Sequence, residues 1–208
     1  MSETSAPHRS TPSRHFTLIR HGESTYNVAR RLNGDPAADV QLTEIGRWQA
    51  AELARELVDV DFDSCGHSGF PRTRETLTIV LLDRALPAPR VYSNLGDLRV
   101  GIFEGADIDD YRAWRHEHRP DQAPPGGESR FDALARYIAG FEELLASPGL
   151  NSIVATHDVP IRFLANALAG DDPLDGRVTR IRNAEVRVLS DLDLRGALDV
   201  MRARLREG

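Results

Sequence analysis

The sequence contains no lysine, and all 26 of its cationic side chains are arginines. The missing amine excludes a Walker-type phosphate loop, a Schiff-base enzyme and a protein-kinase site. Any bound anion must therefore be held by arginine, histidine or backbone N–H groups. Arginine binds phosphate or carboxylate through a planar fork of donors, whereas lysine acts as a point charge. A GC-rich coding bias would explain most of these arginines, so the question is which few have a function.

Cysteine, long apolar runs and excess positive charge are also scarce. The single cysteine, Cys65, cannot form an internal disulfide, which predicts a cytoplasmic location. No apolar run approaches the roughly 18 residues of a membrane span, and residues 1–14 lack the apolar core of a secretory signal. The net charge of −6 argues against nucleic-acid and anionic-membrane partners. Nothing in the sequence indicates an oligomeric state.

The chain is predicted to have one domain preceded by a tail. Residues 1–14 are rich in Ser, Thr and Pro, which predicts a disordered tail, and residues 15–208 suffice for a single domain. Short apolar runs predict strands, and segments of helical periodicity predict helices. The strands are expected at 16–19, 65–68, 90–92, 152–155 and 186–189, and the helices at 43–58, 72–82, 107–118, 128–146 and 160–168. Residues 197–205 fit a helix or a hairpin arm. Such alternation predicts an α/β domain with a mostly parallel sheet.

Several polar side chains follow the predicted strands where ligands bind in such a sheet, beyond the carboxyl ends. Two strands run into His21 and His157, and a third is followed by Arg72 at the start of a helix. If these strands are neighbours, the three side chains and Arg20 converge on one pocket. Two arginine forks with imidazole donors can hold the three oxygens of a phosphoryl group without a metal. No metal-ligand spacing appears in the sequence, so neither a metal nor a cofactor is expected.

Histidine can also be the nucleophile in such a pocket. A neutral ring nitrogen attacks phosphorus to give a phosphohistidine, which water later hydrolyses. The reaction needs a carboxylic acid to protonate the leaving oxygen and then to activate the water. The candidate carboxyl groups are those of Asp97, Glu104, Glu128 and Asp158.

Residues 18–24, LIRHGES, resemble the signature of the histidine phosphatase superfamily, in the branch that contains the cofactor-dependent phosphoglycerate mutases. Five further elements follow in the family's order: LTEIG at 42–46, SGFPR at 68–72, LGDLRVGIFEG at 95–105, PPGGES at 124–129 and VATH at 154–157. The ordered series spans nearly the whole chain after the tail, which makes it far more specific than a lone R-H-G. The resemblance implies a three-layer sandwich in which helices flank the sheet.

The resemblance also implies roles for individual residues. His21 would be the phosphorylated nucleophile, and the phosphoryl group and substrate would be bound by Arg20, Ser24, Asn27, Arg72 and His157. The acid position holds Asp97 where the family usually has glutamate, and its carboxyl reaches about 1.5 Å less far. His157 is followed by Asp158, which resembles the acid phosphatase and phytase branch, where that aspartate is the proton donor. Asp97 is the preferred acid, and Asp158 remains a competitor.

These features predict a metal-independent phosphomonoesterase that hydrolyses small phosphate esters through a phosphohistidine. A phosphoglycerate mutase-type phosphoryl transferase is the alternative. The mutases carry a long insertion after the acid loop and extra basic residues, whereas this chain has only residues 107–122 there and no lysine. An inactive protein that binds a phosphorylated ligand is a third hypothesis, which the presence of His21 and Arg20 disfavours. Residues 106–122 are expected to form an aromatic and basic rim that selects the substrate.

Overall fold

The computed structural model describes residues 13–207, so residues 1–12 of the predicted disordered tail lie outside the described part. Arg14, the last residue of that predicted tail, is held in place. Its guanidinium donates hydrogen bonds of 2.6–2.9 Å to the carbonyl oxygens of Leu145, Ser147 and Gly149. These acceptors lie at and beyond the end of a helix, where carbonyl groups have no intrahelical partner. Arg14, which was predicted to lie in the tail, therefore contacts the chain at the end of that helix.

The centre of the fold is a five-stranded sheet with one antiparallel edge. The strands are β1 (His15–Arg20), β2 (Ser64–His67), β3 (Arg90–Val91), β4 (Asn151–Thr156) and β5 (Val186–Ser190). Their order is β3-β2-β4-β1-β5, and only β5 runs antiparallel to its neighbour within the described residues. The central strands β1 and β4 are buried on both faces, which explains why their sequences are continuous apolar runs. The predicted α/β class with a mostly parallel sheet is confirmed.

Within residues 13–207, seven α-helices connect or flank these strands. They are α1 (Thr25–Val28), α2 (Glu44–Glu56), α3 (Pro71–Val80), α4 (Ile108–Glu117), α5 (Arg130–Leu145), α6 (Asp158–Leu168) and α7 (Asp191–Arg206). Side-chain oxygens of Thr43, Ser129 and Ser190 cap α2, α5 and α7 by accepting backbone N–H hydrogen bonds. Because Ser129 is the cap of α5, the predicted start at residue 128 is two residues early. Residues 197–205, which fitted a helix or a hairpin, lie inside α7.

Apolar residues pack on both faces of the sheet. Leu18 and Val154 face a cluster formed with α5, α6 and α7, whereas Ile19 and Ala155 face a cluster formed with α2 and α3. Successive side chains of a strand point to opposite faces, so one strand contributes to both clusters. The resulting helix–sheet–helix layers are the three-layer sandwich that the resemblance implied. Among residues 13–207, no helix is both long and apolar enough to cross a bilayer.

Candidate active site

Two neighbouring parallel strands place the two predicted histidines side by side. Arg20 at the end of β1 lies opposite Thr156 at the end of β4, so His21 and His157 leave the sheet at the same level. Their ring centroids are 5.3 Å apart. On the far side of β4, the chain leaving β2 carries Ser68, whose hydroxyl lies 2.7 Å from Nε2 of His157. The carboxyl edge of the sheet therefore holds the pocket that the sequence predicts there.

Arg72 in the first turn of α3 joins both histidines to the acid loop. Its side chain is only 3% exposed. Nε donates to Nε2 of His21 at 3.1 Å, and Nη2 contacts Nδ1 of His157 at 3.1 Å and Oδ2 of Asp97 at 3.0 Å. Pro71 occupies the first helical position, where a missing N–H costs nothing, and it sets the start of the helix. The planar guanidinium of Arg72 thus fixes the relative positions of three predicted site residues.

The hydrogen bonds of His21 assign its tautomer. Its Nδ1 lies 2.7 Å from the carbonyl oxygen of Gly22, which can only accept, so Nδ1 carries the proton. Nε2 accepts from Arg72 and therefore has a lone pair. Burial, reinforced by the charges of Arg72 and Arg20, holds the pKa of His21 well below its usual value. The ring is therefore neutral at neutral pH, which is the state that a nucleophilic Nε2 requires.

His157 is fully buried beside this ring. Burial and then the charge of Arg72 hold its pKa well below the usual value. Arg72 donates to Nδ1 in this arrangement, so Nε2 carries the proton and donates to Ser68. A hydroxyl can donate or accept, so this hydrogen bond would persist if the imidazole proton moved to Nδ1. His157 can therefore present either a lone pair or an N–H towards Arg72 and Asp97.

Arg20 has one donor that the protein leaves unused. Its Nη1 donates to the carbonyl oxygen of Ile181. Its Nε is buried and has no hydrogen-bond partner among the described residues. Burial lowers the pKa of Arg20, and the nearby carboxylates of Asp158 and Asp97 oppose that shift. Because a buried donor without a partner costs free energy, Arg20 favours the binding of an anionic acceptor.

The two candidate acids have different surroundings. Oδ2 of Asp97 lies 3.0 Å from Arg72 and 3.5 Å from Nδ1 of His157, and burial raises its pKa despite the opposing charge of Arg72. Oδ1 of Asp158 accepts from the N–H of Ile181 at 2.6 Å. Both carboxyl groups line the cavity. Asp97 contacts the histidine and arginine cluster directly, whereas Asp158 is engaged with the loop before β5.

Ser24 and Asn27 lie in the wall of the cavity and bind each other. The Ser24 hydroxyl accepts from the backbone N–H of Asn27 at 3.3 Å, and Asn27 Oδ1 accepts from the backbone N–H of Ser24 at 3.0 Å. This reciprocal capping box holds the short helix α1. Oδ1 of Asn27 also accepts from Asn183 at 3.0 Å. The two side chains thus shape the wall beside His21.

Three residues that position the site were not predicted as such. Asn33 accepts hydrogen bonds from Arg72 through its side-chain and backbone oxygens. Glu104, which the sequence offered as an acid, accepts from Nδ2 of Asn33 at 2.8 Å and so orients it. Asn183 donates to the carbonyl oxygen of His21 at 3.1 Å. The FEG motif at the end of the acid loop could have identified Glu104. The two asparagines lie in loops without a motif, so the sequence offered no signal for them.

A buried ion pair holds the loop that carries Asp97. Arg136 on α5 donates to Glu128, and both side chains are less than a tenth exposed. The same guanidinium donates to three backbone carbonyls between residues 94 and 97 at 2.9–3.1 Å. Glu128 also accepts from the backbone N–H of Arg99 at 3.0 Å. Glu128, which the sequence offered as a candidate acid, therefore holds the acid loop through these contacts.

A cavity of about 320 Å³ opens above these groups. All eight predicted site residues except His157 line it, and His157 lies behind Arg72. Residues 13–207 contain no group of three or more His, Cys, Asp or Glu side chains placed to hold a metal ion. The arrangement offers one neutral nucleophile, two arginine forks and two carboxyl groups.

Comparison with known proteins places this geometry in a family. Two 2,3-bisphosphoglycerate-dependent phosphoglycerate mutases are similar in sequence. The one from Azorhizobium caulinodans is 32% identical over 169 residues, which cover 74% of this chain and 80% of that protein. The one from Bradyrhizobium diazoefficiens is 31% identical over 208 residues, which cover 87% and 98%.

Solved structures of phosphatases are similar in fold. The α-ribazole phosphatase from Shigella flexneri has a TM-score of 0.71 and 27% identity, and the match covers 84% of this chain and 89% of that one. A mycobacterial glucosyl-3-phosphoglycerate phosphatase has a TM-score of 0.70 and 27% identity, with coverage of 86% and 90%. Residues 16–202 match the model of the histidine phosphatase superfamily, branch 1. The chain therefore belongs to the histidine phosphatase superfamily, as its motifs predicted.

Proposed function

We propose that the protein is a phosphomonoesterase that hydrolyses small phosphate esters through a phosphohistidine on Nε2 of His21. The observation that carries the proposal is the hydrogen bonding of His21, which assigns a proton to Nδ1 and a lone pair to Nε2. A proton on Nδ1 and a lone pair on Nε2 give a neutral nucleophile at the cavity floor. The arginine forks of Arg20 and Arg72 lie beside it. Family membership and the phosphatases among the structural neighbours support the same reaction class.

In the first step, Arg72 releases its hydrogen bond to Nε2 and turns its donors to the phosphoryl oxygens. Nε2 then attacks phosphorus, and the bond from phosphorus to the ester oxygen breaks. Arg20 and Arg72 bind the non-bridging oxygens through charge-assisted hydrogen bonds, which strengthen as negative charge develops there. His157 lies behind Arg72 and supports this binding by accepting a hydrogen bond from Arg72 at Nδ1. The hydrogen bond from Nδ1 of His21 to Gly22 keeps the ring oriented while it gains positive charge.

Asp97 is the preferred general acid for the leaving alcohol. Burial raises its pKa, which favours the protonated form that an acid needs. After the alcohol leaves, the carboxylate takes a proton from a water molecule that attacks the phosphohistidine. Inorganic phosphate is released and His21 returns to its neutral state. Asp158 lines the same cavity and stays the competing assignment.

The direct test is phosphate release from a panel of phosphate esters by the wild type and by His21→Asn. Loss of the nucleophile is expected to lower kcat/KM by at least about 10³-fold. His116→Asn is the matched control, because His116 is exposed on α4 and does not line the cavity. A wild type that releases no phosphate from any ester, or a His21→Asn variant as active as the control, would contradict the proposal.

Phosphoryl transfer is the second candidate, because relatives of 31–32% identity are named as mutases. The short segment between the acid loop and residue 124 and the lack of lysine favour hydrolysis. The same assay separates the two when a phosphoglycerate is the substrate. Hydrolysis predicts inorganic phosphate and glycerate as the products, whereas transfer predicts the isomeric phosphoglycerate.

A further inference from the structure

A second cavity, of about 290 Å³, lies between strand β2, helix α3 and the segment that joins α3 to β3. It shares no lining residue with the cavity of the candidate active site. Strand β3 has two residues and pairs only with Gly66 and His67, so the first half of β2 faces the joining segment instead. There the Cys65 thiol donates to the carbonyl oxygen of Pro87 at 3.5 Å. The proposed reaction does not use this cavity.

Most of the cavity wall is apolar. Four leucines between residues 77 and 86 line it, together with two prolines and the thiol of Cys65. Burial raises the pKa of that thiol, so it stays neutral and adds to the apolar lining. Leu77 is buried, whereas Leu82 is 68% exposed. An apolar group bound here would therefore remove leucine surface from water.

His67 presents an unused donor to this cavity. The backbone N–H of Gly69 donates to Nδ1 at 3.0 Å, so the neutral ring carries its proton on Nε2. Burial, followed by the charge of Arg74, lowers the pKa of His67 and keeps the ring neutral at neutral pH. Only 8% of His67 is exposed, and Nε2 has no hydrogen-bond partner among residues 13–207. A donor left unpaired in so buried a side chain favours an acceptor in the cavity.

Arg74 supplies a cation beside this donor. It follows Arg72 by two residues on α3, and two residues of α-helix turn by about 200°. The two arginines therefore point to different sides of the helix, and each lines a different cavity. Within the described part of the chain, the guanidinium of Arg74 forms no ion pair and no hydrogen bond.

The other charged groups of the wall do not neutralise Arg74. Arg84 is engaged elsewhere, because its guanidinium donates to the carbonyl oxygens of Leu57 and Val60. Asp83 contributes a carboxylate to the wall but forms no ion pair with either arginine among residues 13–207. With two arginines, one aspartate and a neutral histidine, the wall has a net positive charge.

We propose that this cavity binds a small organic anion that has a carboxylate and a short apolar chain. The carboxylate accepts hydrogen bonds from Nε2 of His67 and from the guanidinium of Arg74, and the chain lies against the leucines. One available cation and one neutral N–H match the single charge of a carboxylate, whereas a phosphate dianion would leave a charge unbalanced. The site is separate from the phosphoryl site and does not depend on the proposed function.

The test is a titration of the ¹⁵N-labelled protein with hexanoate, followed in the imidazole spectrum with no ester present. The Nε2 signal of His67 is assigned by its absence from His67→Gln. It is expected to shift saturably with a Kd of about 1 mM, as suits a ligand with so few atoms. Hexan-1-ol should bind at least about tenfold more weakly, because it lacks the charge. From butanoate to hexanoate, each buried methylene should strengthen binding about fourfold.

Arg74→Gln removes the cation from an exposed position of α3 and should weaken hexanoate binding about tenfold or more. Arg195→Gln is the matched control, because Arg195 pairs with Asp191 on the surface of α7 and does not line the cavity. It should show the wild-type Kd.

Four results would overturn the inference. They are equal binding of hexanoate and hexan-1-ol, an unchanged Kd in Arg74→Gln, and the absence of a saturable shift of His67 up to about 20 mM hexanoate. The fourth is a shift confined to the signals of His21 and His157, which would place hexanoate in the other cavity. Because the titration measures binding without turnover, none of these results bears on the proposed phosphatase reaction.

Discussion

Arg72 shows how this chain could form the proposed phosphoryl site without lysine. Its planar guanidinium contacts His21, His157 and Asp97 at once with separate N–H groups, which a single ammonium could not do in the same fixed plane. Arg20 complements it with a buried Nε that has no partner among the described residues. Individual side-chain geometry, more than the number of cations, therefore defines the site.

The roles of the two aspartates can be separated by leaving group. We expect Asp97→Asn to lower kcat much more on an alkyl phosphate than on p-nitrophenyl phosphate, because only the poor leaving group needs a proton. The proton-transfer contribution is about 10²–10⁴-fold. Asp158→Asn should lower both rates by similar factors. If Asp158→Asn shows the selective loss and Asp97→Asn does not, the assignment is reversed.

The buried pair of Glu128 and Arg136 ties helix α5 to the acid loop. Glu128→Gln leaves Arg136 as a buried charge without its carboxylate, which should lower the free energy of unfolding by about 3 kcal/mol. It should also lower kcat, since Asp97 loses the clamp on its loop. Urea unfolding and steady-state kinetics measure the two effects.

A surface ion pair of helix α5 provides the control for Glu128→Gln. Glu142 pairs with Arg202 on the surface, and both side chains are more than a third exposed. Glu142→Gln should therefore change the unfolding free energy by less than about 1 kcal/mol. Equal effects of the two substitutions would contradict the clamp.

The elements that the sequence predicted are those with local signals. Apolar runs located β1 and β4, and helical periodicity located α2. Helix α7 stayed ambiguous because Arg195 and Gly196 also suit a turn, although the capping box of Ser190 and Asp193 marks its start. Helix α1 has four residues, too few for periodicity to show.

The unpredicted parts of the site depend on contacts between distant positions in the chain. Asn33 meets Arg72 across 39 residues, and Asn183 meets His21 across 162 residues. Neither contact leaves a local pattern, because loops place these asparagines only after the sheet has assembled. The sequence did predict the histidines and arginines of the site, because each of them follows a recognisable strand or begins a helix.

The stability of the folded chain should fall in mild acid. His21 and His157 have pKa values well below the ordinary value of 6.5. Below that pH the unfolded chain binds protons that the folded chain does not, so stability is lost as pH falls. Each histidine contributes up to about 1.4 kcal/mol per pH unit.

Urea unfolding at about pH 7.5 and about pH 5.5 measures this loss of unfolding free energy. His21→Gln should reduce the difference between the two pH values by the contribution of one histidine. Asp97 has the opposite effect on stability, because its pKa is raised above the ordinary value of 3.8. Between pH 3.8 and that raised pKa, the folded chain binds a proton that the unfolded chain has lost. A stability that is equal or higher at the acidic pH would contradict the neutral, buried histidines.

The proposed phosphohistidine is tested by rapid mixing with a ³²P-labelled p-nitrophenyl phosphate. Quenching in alkaline detergent preserves a nitrogen–phosphorus bond. The wild type is compared with Asp97→Asn, in which slower hydrolysis of the intermediate should let it accumulate. The expected result is alkali-stable, acid-labile label that maps to His21 and is absent from His21→Asn. Turnover of the ester with no label on either protein, or label on another residue, would contradict catalysis through His21.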